Sequence, residues 1–232
     1  YPFSDRSADV VEKQFKIGER ILEGDQKKNK FVNAVTGGSY SVMDVFRAVI
    51  KNAPYGPYAP SAQYKIGLYL KEKQLYREAR DEFEKTVNDY PESPWARAAQ
   101  YQISLVDAER SSEAQYDQKT TQAAVEGFKE FVQAHPDAEL SQEAQEHIHK
   151  LRAKEAENKF LVAHFYEKQK NYKAAQIYYT AIVVDYKDTV WATKALEKIR
   201  EMDRKADPPW MPQPAVVSPS RSSPQVTIEP KL

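Results

Sequence analysis

The chain has 232 residues, with 34 Lys and Arg set against 34 Asp and Glu and no Cys. Zero net charge without a basic stripe argues against nucleic acid as a partner, because counterion release needs a cationic excess. The missing Cys excludes disulfides, thiolate metal sites and Cys nucleophiles, and the longest apolar runs, such as Ala181-Ile182-Val183-Val184, fall far short of the roughly 18–20 residues of a membrane span.

The chain opens on Tyr1-Pro2-Phe3-Ser4, with no initiator Met and neither the basic nor the apolar region of a secretory signal, so a processed or trimmed chain is expected. From there to about residue 206, apolar residues recur at a period of 3.6, which predicts an all-α protein. Gln14-Phe-Lys-Ile-Gly18 starts the pattern, a polar loop is expected from Gly24 to Gly38, and Phe46-x7-Pro54 follows. Ala62-Gln-Tyr-Lys-Ile-Gly67 repeats the first motif and Ala79-x3-Phe83-x7-Pro91 extends the second. Ser93-Pro94 then marks a helix start, with Ser as cap and Pro in the first turn. Ala99-Gln-Tyr-Gln-Ile-Ser104 and Ala124-x3-Phe128-x7-Pro136 repeat both motifs again around a second expected loop, Glu109 to Gln118. Asp137 is expected to start a helix that, with no Gly or Pro between Ala138 and Lys168, runs on as one long element. Ala175-x3-Tyr179-x7-Lys187 is the last echo, and its helical stripe keeps the β-branched run at 182–184 in a helix. Asp188 is expected to open a final helix in which Trp191-Ala-Thr-Lys-Ala195 mirrors Trp95-Ala-Arg-Ala-Ala99. No partner helix follows, so it should be a cap. Seven of the 14 Pro fall after residue 207, so 207–232 is expected to be a disordered tail, or else a short extended ligand for a partner.

Gly67, Ala79, Phe83 and Pro91 have the spacing of the tetratricopeptide repeat, which the chain resembles over about residues 7 to 205. A small residue lets the helices of a pair approach, an aromatic fills the gap to the next pair, and Pro closes the second helix. Residues 1–206 are therefore expected to form a tetratricopeptide superhelix of about four helix pairs plus a C-terminal capping helix, with 1–136 the N-terminal repeats and 137–206 the C-terminal repeat and cap.

The inventory for catalysis is thin. His147 and His149 lie two apart and point to different faces of a helix, and Glu146-x-x-His149 has metal spacing but no second such pair. No phosphate loop or zinc-protease motif is present. No catalytic residue, metal or cofactor is expected.

Binding is the remaining chemistry. Three residues before the small positions Gly18, Gly67, Ser104 and Ala163 stand Phe15, Tyr64, Tyr101 and Phe160. In a tetratricopeptide groove that position faces the concave side, so these rings are read either as a stacked platform for a peptide or as packing between helices. Leu68 and Leu105 would extend the strip, and Lys71, Glu72 and Glu109 would rim it. A second, partner-docking surface is expected around the fourth repeat and cap at Phe160, Tyr178, Tyr186, Arg200 and Met202, where large apolar side chains exceed the needs of a terminal cap. Trp191 is assigned to the core.

Tyr90-Pro91-x-Ser93, the long third-to-fourth repeat helix and Val162-Ala163-x-Phe165-Tyr166-x5-Tyr172-x-Ala174-Ala175-x2-Tyr178-Tyr179 together resemble the BamD-like lipoproteins of outer-membrane-protein assembly. The resemblance covers most of residues 40 to 200. It departs at Tyr178, where many relatives carry a basic residue, and in a fifth repeat reduced to a cap. It implies a periplasmic adaptor on the outer membrane that binds a BamA-type barrel-assembly protein and unfolded outer-membrane protein segments. It also implies an anchor through a lipid-bearing Cys ahead of Tyr1. Another cell-envelope adaptor of the CpoB-like kind, or a soluble peptide-binding co-factor, is the alternative.

Overall fold

Residues 5–26, 41–113 and 118–206 are described in the computed structural model, and every regular element among them is an α-helix. In chain order these are α1 (Asp5–Gln26), α2 (Val42–Asn52), α3 (Ala59–Glu72), α4 (Tyr76–Asp89), α5 (Pro94–Glu113), α6 (Gln118–Ala134), α7 (Glu139–Lys168), α8 (Tyr172–Asp185) and α9 (Val190–Ala206). Each helix packs chiefly on its neighbours in sequence, as in a tetratricopeptide superhelix: four pairs, α1–α2 to α7–α8, closed by α9. The expected polar loops are shorter than their sequence limits, because α1 continues past Gly24 to Gln26 and α5 past Glu109 to Glu113. The rest of those loops, and the tail expected at 207–232, lie outside the described residues.

The two repeated motifs build one contact four times. Phe46, Phe83, Phe128 and Tyr179 of the second helices are completely enclosed. Each meets the aromatic of its first helix: Phe15–Phe46, Tyr64–Phe83, Tyr101–Phe128 and Phe160–Tyr179 have ring centroids 5.8, 5.5, 5.6 and 5.2 Å apart. The small residues allow this approach. A Cβ at Gly18 would lie 2.7 Å from Phe46 Cε1, and one at Gly67 would lie 2.6 Å from Phe83 Cε1. In the third pair the glycine has moved to the other helix, where a Cβ at Gly127 would lie 2.4 Å from Ser104 Oγ.

Local chemistry sets the helix ends. Ser93 Oγ accepts from Ala96 N–H at 3.1 Å, with Pro94 in the first turn of α5. Ser41 and Asp44 form a capping box at α2. Two first helices end on the same left-handed turn without glycine: Gln74 and Lys170 have φ of 61° and 59°, and the next amides, Leu75 and Asn171, reach back to Leu70 and Tyr166 carbonyls. The starts expected at Asp137 and Asp188 are corrected. α7 begins at Glu139 after Ala138, and α9 begins at Val190, because Asp188 is instead engaged by Arg152 (Nε–Oδ2 3.0 Å).

The 30-residue α7 joins two cores. Its Ala144 and Leu151 pack with Tyr101, Phe128 and Phe131, whereas its Ala156 and Ala163 pack with Tyr179, Ile182 and Met202. Its length is about 45 Å against about 25 Å for the 17-residue α6, so its second half runs past the start of α6. Lys154 Nζ donates to Ser111 O at 3.0 Å, near the C-terminal end of α5.

At the first, second and fourth pairs an aromatic at the start of the next helix, or just ahead of it, meets the first-helix ring: Tyr58 on Phe15, Trp95 on Tyr64 and Trp191 on Phe160, each 5.1 Å away. At the third it is His147, stacked on Phe128 at 5.1 Å and edge-on to Tyr101 at 6.4 Å. Burial holds His147 below its usual pKa of 6.5, helped by Lys150 and opposed by Glu143, Glu146 and Glu109. Neutral His147 therefore stabilises fully above pH 6.5, and that contribution is lost as pH falls through the lowered folded value. His147→Phe should flatten the acid limb of a melting-temperature profile below pH 6.5. An unchanged limb would assign the acid sensitivity to other groups.

Candidate interaction surfaces

The aromatic column expected to line a groove is built into the packing. Phe15, Tyr64 and Tyr101 are buried at 7%, 8% and 4% exposure, each between its own pair and the next helix. Tyr101 Oη also donates to Glu143 at 3.2 Å, and burial pushes its hydroxyl up to about 12, the carboxylate adding to the shift. These rings are therefore corrected from an open platform to an internal spine, because each must close the gap beside its enclosed partner ring. Leu68 and Leu105 are half-buried against the first and second cores. Lys71 bridges α3 and α5 through Gln102 at 3.0 Å and Glu109 at 3.3 Å.

The residues expected to dock a partner divide. Tyr186 and Met202 are buried in the third core and are corrected to packing residues. The Tyr186 ring lies under Arg152 and Lys159, at 5.3 and 5.8 Å, and burial pushes its hydroxyl up to about 12. Phe160 is half-buried on Tyr179 and Trp191. Arg200 is exposed on α9. Tyr178 is half-buried and stacks on Tyr166, with centroids 5.5 Å apart and planes within 12°.

The exposed apolar residues at this end are others. Leu161, Val162 and Phe165 on α7 are 59%, 37% and 57% exposed, and Ile177 and Val184 on α8 are 69% and 67% exposed. Leu161 and Phe165 lie one turn apart, as do Ile177, Ala181 and Val184 in succession, so two apolar stripes run along the pair. Between the two helices, Tyr166 meets Phe165 at 5.7 Å and stacks on Tyr178. The α7 stripe is bare because it lies on the half that outruns α6. Sequence signals for it existed: Phe160-Leu-Val-Ala163 and Ala181-Ile-Val-Val184 are four apolar residues in a row, which a period of 3.6 must spread beyond one buried face.

A model of the YfiO outer membrane lipoproteins matches residues 29–209. The chain belongs to that family. The match spans α2 to α9, including both stripes, and it agrees at family level with the BamD-like resemblance. Two solved structures of Podosopora anserina kinesin light chain, with nearly identical TPR-like repeats, are similar at 12% and 13% identity and a TM-score of 0.45 each. Each alignment covers 88% of this chain and 99% or 100% of the other. No curated protein matches. Among the described residues of this YfiO-family chain, no helix is long and apolar enough to cross a membrane.

Proposed function

We propose that this YfiO-family protein is a non-enzymatic adaptor at the periplasmic face of the outer membrane, docking a BamA-type barrel-assembly protein on the α7–α8 face during the folding of β-barrel proteins. The observation that carries this reading is the group of large apolar side chains left exposed on α7 and α8, with Phe165 and Ile177 more than half exposed. Large apolar side chains left in water at one end of the superhelix favour a protein partner. A neutral chain whose described helices include no span needs another hold on the membrane, and the lipoprotein character of the family supports a lipid chain at the N-terminal side. Such a chain gains about 0.8 kcal/mol per buried CH₂. The N-terminal repeats, residues 1–136, take client segments of unfolded outer-membrane proteins in this reading. There the half-buried Leu68, Lys71 and Leu105 are available, and the enclosed rings are not.

Calorimetric titration of the full chain with the periplasmic domains of a BamA-type protein tests the reading. An equimolar complex with a clearly negative heat-capacity change is expected, the mark of apolar burial. Absence of a complex, or a heat-capacity change near zero, would contradict it.

A further inference from the structure

Away from the apolar face, the start of α4, the end of α5 and the start of α6 enclose a cleft of about 480 Å³. Four cations, Arg77, Arg80, Arg110 and Lys119, line it against two acids, Asp81 and Asp107. Asp107 is 3% exposed and organises one wall. Its Oδ2 accepts from Arg80 Nε at 3.2 Å, and Arg110 Nη1 stands 3.8 Å from its Oδ1, which accepts no hydrogen bond among the described residues. Arg110 Nη2 donates to Thr120 Oγ1 on α6 at 2.9 Å, which draws that guanidinium across the cleft. One buried carboxylate thus holds two guanidinium groups side by side, and Glu84, outside the lining, pairs with Arg80. Arg77 and Lys119 are exposed and form no ion pair or hydrogen bond with a described residue. Asp107 and Glu84 hold Arg80 in its charged form, whereas Arg77 and Lys119 have no such partner among the described residues. An anion entering the cleft would pair with them, and guanidinium forks match the oxygens of carboxylate and phosphate. Among the described lining residues the cations outnumber the acids by two, which favours a group able to carry two charges.

We infer that this cleft binds a phosphoryl group, presented by a soluble phosphate or by an anionic phospholipid headgroup. Arg77 and Lys119 supply the unpaired charge, and Arg80 and Arg110, held by Asp107, supply the directed donors. The site is separate from the α7–α8 face, so it stands or falls independently of the docking reading.

The test titrates the full chain with inorganic phosphate at low salt, alongside an Arg77→Gln, Lys119→Gln double variant whose exposed side chains hold nothing else in place. Binding about tenfold weaker in the variant is expected, with acetate at equal ionic strength failing to displace phosphate. Cosedimentation with phosphatidylglycerol vesicles but not phosphatidylcholine vesicles, lost in the variant, would identify the headgroup as the source. Phosphate binding without vesicle binding would identify a soluble one. Equal response of wild type and variant to phosphate would overturn the site, and displacement by acetate would overturn the phosphoryl assignment.

Discussion

Phe128→Ala is expected to cost about 3–5 kcal/mol of stability, in the range of the largest core truncations. Phe128 is completely enclosed, and its ring meets Tyr101 of α5 at 5.6 Å and His147 of α7 at 5.1 Å. Three helices thus converge on one side chain. Leu151 and Ala144 pack in the same cluster, so a cavity there loosens the hold of α7 on the N-terminal repeats. The melting temperature should fall by about 6–20 °C for a chain of this size. A loss below about 1 kcal/mol would mean that the neighbouring rings collapse into the space and that the spine is not the main support. Tyr64→Ala and Tyr101→Ala should also destabilise, because both rings are packed, so reduced peptide affinity in such variants would report the fold and not a groove.

Joint replacement Phe165→Asp and Ile177→Asp should leave stability within about 0.5 kcal/mol per site, since both side chains are mostly in water. Affinity for the BamA-type periplasmic domains should fall by about 2–4 kcal/mol, or about 30- to 1,000-fold, because a charge would then be desolvated at the centre of the contact. Val10→Asp with Ile17→Asp provides the comparison: both are 50% exposed on α1, at the other end of the superhelix, and should bind normally. Equal loss in the two pairs would indicate a non-specific apolar effect.

The superhelix was legible in the sequence because its repeats are spelled by residue types with one mechanical purpose each. Gly18 and Gly67 stand against Phe46 and Phe83, and Ser93-Pro94 caps and opens α5, as their spacing implies. Asp188 misled because an Asp ahead of a helix serves equally as a cap or as an ion-pair partner, and Asp137 stands one residue ahead of the Ala138 cap. Asp188 became the partner of Arg152, whose hydrogen bond holds its carboxyl down to about 2. The binding surfaces were less legible. Position within the repeat places a ring but does not tell whether the next helix covers it, and Tyr58, Trp95, His147 and Trp191 cover all four. The exposed stripe depends on α7 outrunning α6, a difference of helix length that no single residue records.

Photo-cross-linking from single positions of the full chain to a BamA-type protein tests the central claim most directly. Probes at Val162, Phe165, Ile177 and Val184 should capture the partner, and probes at Ile17, Tyr55 and Leu75, also exposed but on the N-terminal repeats, should not. Capture concentrated at the N-terminal positions, with the α7–α8 probes silent, would contradict the account.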